Sequence, residues 1–252
     1  MTPIVVEDGL RTIKDKLATI LASSSSRVLD DAIAQVHDAA DVCRKGPTNW
    51  RKRGRPWGYQ ISKGQPLQFQ VCKVRGYDTI VDICCVLRCP VDEAAEPLEQ
   101  NFALRVWSLD RRQCFRRGWD ADEIESIFDG SARRVMLRLH FDLASSDQPG
   151  PKYHVQVGGI PAGDELWWMP PSVNLPRIAH PPIDIVLLCE MIAANFFPEQ
   201  YREIRTDPIW RGAIRDTQRS VLQKYFQLCH DTVAREQHDQ SLLDQLWNEA
   251  WQ

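Results

Sequence analysis

The alternation of apolar and polar residues between positions 135 and 157 constrains the fold of this 252-residue chain more than any other feature. Two alternating runs are separated there by a loop rich in Ser, Gly and Pro. The apolar positions are Val135, Leu137, Leu139, Phe141 and Leu143 in the first run, and Tyr153, Val155 and Val157 in the second. A period of two places every second side chain of a strand on the same face. The pattern therefore predicts a β-hairpin over 134–158 with one buried face and one polar face.

Two further hairpins are predicted earlier in the chain. The first joins residues 67–72 to residues 79–87 through a turn at Gly76, and the second joins residues 102–109 to residues 113–119. Consecutive hairpins pair neighbouring strands in an antiparallel manner. The three together predict an antiparallel meander of about six strands.

Helical periodicity occurs on both sides of this meander. Residues 1–45 carry apolar side chains three and four positions apart, which predicts a pair of helices. Residues 183–197 are apolar nearly all round, which is typical of a buried helix, and Asp207-Pro208 begins a longer one. We expect an α+β fold in which the meander packs on the central apolar helix, with helical caps from both ends of the chain.

Composition divides the chain into four segments. They are an N-terminal helical pair (1–45), a basic loop rich in Gly and Pro (46–66), the meander (67–160), and a Pro-rich connection followed by the C-terminal helices (161–252). A helix that is apolar on all sides needs cover from the other segments. We therefore expect one composite domain.

The overall composition is that of an ordinary globular protein. Hydrophobic residues make up 43% of the chain, charged residues make up 26%, and the net charge is −3. These values argue against a disordered chain and against a strongly basic protein. No run reaches the roughly 18–20 apolar residues that cross a bilayer, and the N-terminus lacks the features of a signal peptide. We expect a cytoplasmic protein that does not associate with membranes.

The eight cysteines do not have the spacing of a metal site. None forms a Cys-x-x-Cys pair, and Cys84 and Cys85 would point to opposite faces of a strand. Buried free thiols are the better interpretation. We expect no bound metal and no cofactor.

A basic segment is the first candidate functional site. Its core, Arg53-Gly54-Arg55-Pro56, is similar to the AT-hook, a short peptide that lies in the minor groove of A·T-rich DNA. Arginine suits this narrow, electronegative groove, and Gly and Pro keep the backbone thin. The candidate nucleic-acid-binding residues of this segment are Arg51, Lys52, Arg53 and Arg55. A stripe of arginines on a later predicted helix would extend this basic surface: Arg211, Arg215 and Arg219. The alternative is a solvated loop whose charges pair with nearby carboxylates.

The polar face of the 134–158 hairpin is the second candidate. His140 and Asp142 share it with His154 on the returning strand. If the loop sets Asp142 opposite His154, the two side chains meet across the strands. A His–Asp pair with a second His can act as a general base in a hydrolase or nuclease. Ordinary polar residues on a strand are the alternative, because the sequence offers no convincing nucleophile.

Aromatic residues outside the sheet are the third candidate, because exposed aromatic side chains often anchor protein partners. They are Trp167 and Trp168 in the Pro-rich connection, and Trp247 and Trp251 with Leu243 in the last predicted helix. Since no catalytic motif is recognisable, we predict a non-catalytic interaction subunit of a larger intracellular, bacterial-type assembly. Its partner would be another protein or a second copy of the chain. Nucleic-acid binding and hydrolysis are the alternative functions.

Overall fold

The protein combines helices with an antiparallel sheet, which confirms the predicted α+β class. The structure is a computed structural model, and it describes residues 1–74, 77–92, 95–109, 118, 120, 122, 135–144, 150–158, 177–234 and 247–248.

The strands of the main sheet are β1 (Trp57–Ile61), β2 (Leu67–Gln68), β3 (Cys72–Val74), β4 (Tyr77–Cys89), β5 (Glu99–Leu109), β6 (Val135–Leu143), β8 (Tyr153–Val157) and β9 (Ile178–Ala179). Their order in the sheet is β1-β4-β5-β6-β8-β9, and the two short strands β2 and β3 also pair with β4. A separate two-stranded sheet pairs β7 (Gly150–Pro151) with β10 (Trp247–Asn248). The antiparallel succession β4-β5-β6-β8 confirms the predicted meander.

The strand register agrees with two of the three predicted hairpins. Leu67 lies opposite Ile83 in the first, and Asp142 lies opposite His154 in the third. The returning strand of the second, residues 113–119, lies outside the described residues except for residue 118. Within the described chain, β5 instead pairs with β4 on one side and β6 on the other.

Helices occupy both ends of the described chain. They are α1 (Pro3–Lys16), α2 (Ser25–Arg44), α3 (Pro47–Arg53), α4 (Ile185–Phe196), α5 (Pro198–Ile204) and α6 (Pro208–Ala234). Asp184 caps α4 by accepting a hydrogen bond from the Leu187 amide at 3.0 Å. Asp207 caps α6 by accepting a hydrogen bond from the Ile209 amide at 2.8 Å. This is the helix start that the Asp-Pro pair predicted.

Two segments differ from the sequence-based expectation. Residues 46–66, interpreted as a loop, contain α3 and β1. Pro47 is the first residue of α3, a position that proline favours, and Trp57, Tyr59 and Ile61 turn their side chains into the core. Trp247, expected in a helix, lies in β10, because tertiary pairing overrides a weak local helix preference.

One face of the sheet forms the core with helices α1, α2 and α4. Helix α2 contacts β1 and β2, and α4 contacts α1, α5, α6 and β3. The rings of Phe69 and Phe197 stack with their centroids 5.9 Å apart, and Gln100 Nε2 donates to the Ile183 carbonyl at 2.9 Å. Each fully buried aliphatic side chain contributes about 1.5–3 kcal/mol here. That α4 is the centre of the fold stays a prediction.

A buried carboxylate, Glu7, ties α1 to α2 away from the sheet. It forms ion pairs with Arg11 at 2.7 Å and Arg44 at 2.7 Å, and its Oε1 atom lies within hydrogen-bonding distance of His37 Nδ1 at 2.8 Å. Burial raises the pKa of Glu7, but the hydrogen bonds from these three partners outweigh it and lower the pKa to about 2.

The seven described cysteines are free thiols, four of them buried. Among the helices of the described chain, none is both long enough and apolar enough to cross a membrane.

Candidate functional site

The second face of the sheet, opposite the core, carries a row of charged residues. Asp82 on β4 lies opposite Arg105 on β5, and Arg105 lies opposite Arg138 on β6. His140 and Asp142 follow on the same face of β6, and His154 lies opposite Asp142 on β8. The polar face is the name we use for Asp82, Arg105, Arg138, His140, Asp142 and His154.

Most of the polar face is buried, and His140 and Asp142 are half-buried. Asp82 is 0% exposed, Arg105 is 5%, Arg138 is 1% and His154 is 3%. An antiparallel sheet commonly leaves one face to water, and that is what the hairpin pattern predicted. Buried ionic side chains carry a large desolvation cost that partners must offset. So many buried charged side chains are unusual for the polar face of a strand, and they mark this face as the candidate functional site.

Asp82 organises one end of the polar face. Its carboxylate accepts a hydrogen bond from Arg105 Nε at 2.6 Å and another from Trp107 Nε1 at 3.0 Å. The Arg105 guanidinium lies 5.4 Å from the centre of the Trp107 ring, and its Nη2 atom donates to the Lys63 carbonyl at 3.5 Å. These contacts fix the orientation of the Arg105 guanidinium.

His140 and Asp142 occupy the middle of the polar face, two residues apart on β6. Atoms Nε2 of His140 and Oδ1 of Asp142 are buried and have no hydrogen-bond partner among the described residues. Burial, followed by the charges of Arg138 and Lys63, lowers the pKa of His140 to about 4. Burial raises the pKa of Asp142 to about 6, against smaller opposite effects of Arg177 and Arg138. His140 therefore loses its proton more readily than an ordinary histidine, and Asp142 keeps its proton more readily than an ordinary aspartate.

His154 lies opposite Asp142, the register that the sequence had left dependent on the loop. Its hydrogen bond goes elsewhere, from Nδ1 to the Pro151 carbonyl at 3.0 Å. Since a carbonyl only accepts, Nδ1 carries the proton and Nε2 is the acceptor nitrogen. Burial lowers the pKa of His154, which keeps the ring neutral near pH 7. Within the described chain, no hydrogen bond joins it to Asp142.

Sequence reasoning missed Asp82, Arg105 and Trp107. The signal in the sequence was a single charged residue within each of two apolar runs, Asp82 in β4 and Arg105 in β5. Both lie at positions that alternate with the core-facing residues of their strands. A charge inside an apolar strand run indicates a buried polar contact when its partner strand carries the opposite charge at the paired position.

The basic segment adopts a local structure different from an extended groove-binding peptide. Arg53 is the last residue of α3, and Gly54 ends that helix in the left-handed region at φ 65°. The Arg53 guanidinium lies over the Trp50 ring at 5.9 Å, and its Nε atom donates to the Arg55 carbonyl at 3.4 Å. The side chains of Arg51 and Lys52 lie outside the described residues.

The two basic clusters lie on helices that pack on different neighbours. Helix α3 packs on α2, whereas α6 packs on α1 and α4. The arginine stripe Arg211, Arg215 and Arg219 is exposed on α6. Arg219 borders a groove of about 790 Å³ at the start of α1, and that groove also contains Asp216 and Asp231.

The aromatic candidates lie mostly outside the described residues. This applies to Trp167, Trp168, Leu243 and Trp251, and only the backbone of Trp247 is described, in β10. The described part of the chain also contains no cluster of three or more His, Cys, Asp or Glu arranged to hold a metal ion.

No family model matches the chain, and no curated protein or solved structure is significantly similar to it. Function is therefore inferred from the polar face itself.

Proposed function

We propose that the protein is a hydrolase whose active site is the polar face. The observation that supports this proposal is that His140 and Asp142 lie two residues apart on one face of β6. Both are half-buried, and the pKa of His140 is lowered while the pKa of Asp142 is raised. Neighbouring groups whose environments push their pKa values apart are typical of acid–base catalysis.

His140 is the proposed general base. Its pKa of about 4 keeps the imidazole neutral at higher pH, so a ring nitrogen can accept the proton of an attacking water. Asp142 is the proposed general acid, because its pKa of about 6 keeps the carboxyl protonated in mildly acidic solution. The water oxygen bonds to the electrophilic centre, the bond to the leaving group breaks, and the leaving group takes the Asp142 proton.

The spacing of the two groups suits this reaction. Residues two apart on a strand lie about 7 Å from one another, which leaves room for a water and the bond it attacks. His154, held by the Pro151 carbonyl, lies opposite Asp142 in the strand register, and its acceptor nitrogen would orient the substrate or a bound water. We infer no covalent intermediate, since none of these three groups needs to attack the substrate.

The test is hydrolysis of a panel of p-nitrophenyl esters, phosphomonoesters and phosphodiesters. We expect His140→Gln and Asp142→Asn each to lower kcat/KM by about 10²–10⁴-fold, the usual contribution of a general base or acid. His230→Gln is the matched control, because His230 is 75% exposed on α6. Activity should be highest between the two pKa values, about 4 for His140 and about 6 for Asp142. Turnover that is equal in all variants, or absent over the whole panel, argues against a hydrolase.

The other expected roles stay predictions. A non-catalytic interaction role, with a protein partner or a second copy, depends on aromatic residues that lie mainly outside the described chain. Nucleic-acid binding would use the α3 segment and the α6 stripe, which belong to helices that pack on different neighbours. A cytoplasmic location is likewise a prediction.

A further inference from the structure

Three exposed arginines follow one face of α6. Arg211, Arg215 and Arg219 are four residues apart, and all three are exposed. Residues at this spacing share a helix face and lie about 6 Å apart along the helix axis. Within the described chain, none of the three side chains forms an ion pair or a hydrogen bond. The α6 stripe, which consists of these three arginines, therefore presents its charges to solvent.

The carboxylates nearest to the α6 stripe in the sequence do not pair with it. Asp207, at the start of α6, accepts from Lys16 Nζ at 2.8 Å, so its charge is already offset. Asp216 follows Arg215 directly and lies three residues before Arg219, yet among the described residues it forms an ion pair with neither. Although the chain has a net charge of −3, this part of its surface therefore carries net positive charge.

An exposed aromatic ring lies on the same face of α6, further along the helix. Phe226 is seven residues after Arg219, which is about two helical turns, and it is 53% exposed. Its ring packs edge-on against Tyr225 with the centroids 5.5 Å apart, and Tyr225 packs in turn against Tyr153 of β8 at 6.4 Å. These contacts hold the Phe226 ring in place while about half of the residue stays accessible.

We propose that the α6 stripe and Phe226 bind single-stranded nucleic acid. The arginines contact phosphates of the strand, and an unpaired base stacks on the Phe226 ring. From Arg211 to Phe226 this surface is about 22 Å long, since a helix rises 1.5 Å per residue. The proposal does not rest on the proposed hydrolase, because it uses none of the residues of the polar face.

The exposed ring favours a single strand over other anionic partners. The bases of a duplex are paired and stacked on one another, so their faces are not available to an aromatic side chain. An acidic peptide or an anionic lipid surface offers negative groups to the arginines but no base to the ring. Positive charge beside an exposed aromatic side chain is the combination that binds single strands without sequence preference.

The experiment is fluorescence anisotropy of the full-length protein with a labelled oligothymidylate of about 20 nucleotides, longer than the roughly 4–16 nucleotides that such sites cover. Three phosphate contacts predict a slope of about −2 for the logarithm of the binding constant against the logarithm of the salt concentration. Binding should therefore weaken about 20-fold between roughly 50 and 200 mM salt.

Two substitutions separate the contribution of charge from that of the ring. Arg215→Gln should lower the affinity about eightfold at roughly 50 mM salt and reduce the magnitude of the salt slope by about 0.7, the value of one phosphate contact. Phe226→Leu should lower the affinity about fivefold or more and leave the salt slope unchanged, because leucine is apolar but offers no aromatic face. Arg27→Gln is the matched control, since Arg27 is an exposed arginine on α2 and the variant should bind like wild type.

Binding with this salt slope that both substitutions weaken, and that Arg27→Gln does not, supports the proposal. Absence of binding at roughly 50 mM salt, or equal affinity of Arg215→Gln and Arg27→Gln, overturns it. Unchanged affinity of Phe226→Leu also overturns it, as does duplex DNA or polyglutamate that competes as well as unlabelled oligothymidylate. In either of these cases the surface binds polyanions in general and does not recognise a single strand.

Discussion

Replacing Asp82 by Asn tests how strongly the fold depends on the ion pair within the polar face. The carboxylate is fully buried and accepts from Arg105 Nε at 2.6 Å and Trp107 Nε1 at 3.0 Å. Asparagine has nearly the same shape and keeps one acceptor oxygen. The substitution therefore removes the negative charge while the Arg105 guanidinium stays buried.

The expected loss follows from that geometry. Two unit charges 2.6 Å apart attract by about 6 kcal/mol at an effective dielectric constant of 20. The amide oxygen retains part of this as a hydrogen bond, and breaking one side of a buried pair typically costs about 3–5 kcal/mol. We expect a loss in that range, which is a large part of the roughly 5–15 kcal/mol by which folded proteins are stable.

Urea unfolding followed by tryptophan fluorescence measures this loss. With a slope of about 2 kcal/mol per molar urea, the midpoint should fall by about 2 M. The double variant Asp82→Asn with Arg105→Met should recover much of the loss, because it removes the uncompensated charge. Arg88→Gln, which removes an exposed ion pair, should change stability by less than about 1 kcal/mol. If Asp82→Asn is as stable as this control, the buried ion pair does not have the role that we assign to it.

Three further substitutions test the frame that holds the polar face. Glu7→Gln should lower the free energy of unfolding by about 1–3 kcal/mol at neutral pH, a range that allows for solvent screening of its partly exposed partners. The pKa of Glu7 is lowered from 4.5 to about 2. The difference in unfolding free energy between wild type and Glu7→Gln should therefore be present above pH 4.5 and disappear as the pH falls toward 2. Urea unfolding at several pH values measures this difference. Gly58→Ala should destabilise the β1–β4 pair by about 3 kcal/mol or more, because the new Cβ would lie 1.9 Å from the Leu87 carbonyl oxygen; an unchanged melting temperature would refute this. Asp207→Ala should cost about 1 kcal/mol through loss of the α6 cap, and a thermal melt indistinguishable from wild type would show that the cap does not contribute.

Local patterns were sufficient where they extended over many residues. The alternation on both sides of the 145–149 loop predicted the hairpin, and the opposition of Asp142 and His154 is one of the few registers that a hairpin with one apolar face allows. The Asp-Pro pair at 207–208 marked the start of α6 for an equally local reason. In contrast, Trp57, Tyr59 and Ile61 alternate over only five residues within a segment rich in Gly, Pro and basic residues, and that composition favours a loop.

The candidate site was predicted only in part. The strand period indicated that His140, Asp142 and His154 share a face, but it carries no information on whether that face is covered. The ion pair between Asp82 and Arg105 joins two residues that are 23 positions apart in the sequence, and the burial of Arg138 likewise depends on tertiary contacts. The same burial shifts the pKa values of His140 and Asp142, which no local pattern can specify.

The pKa of His140, followed by nuclear magnetic resonance, tests the account most directly. The ring should titrate at about 4, because burial and the charges of Arg138 and Lys63 disfavour its protonated form. A ring that titrates near the ordinary histidine value of 6.5 would contradict the proposed hydrolase, because His140 would then lack the environment that we assign to the general base.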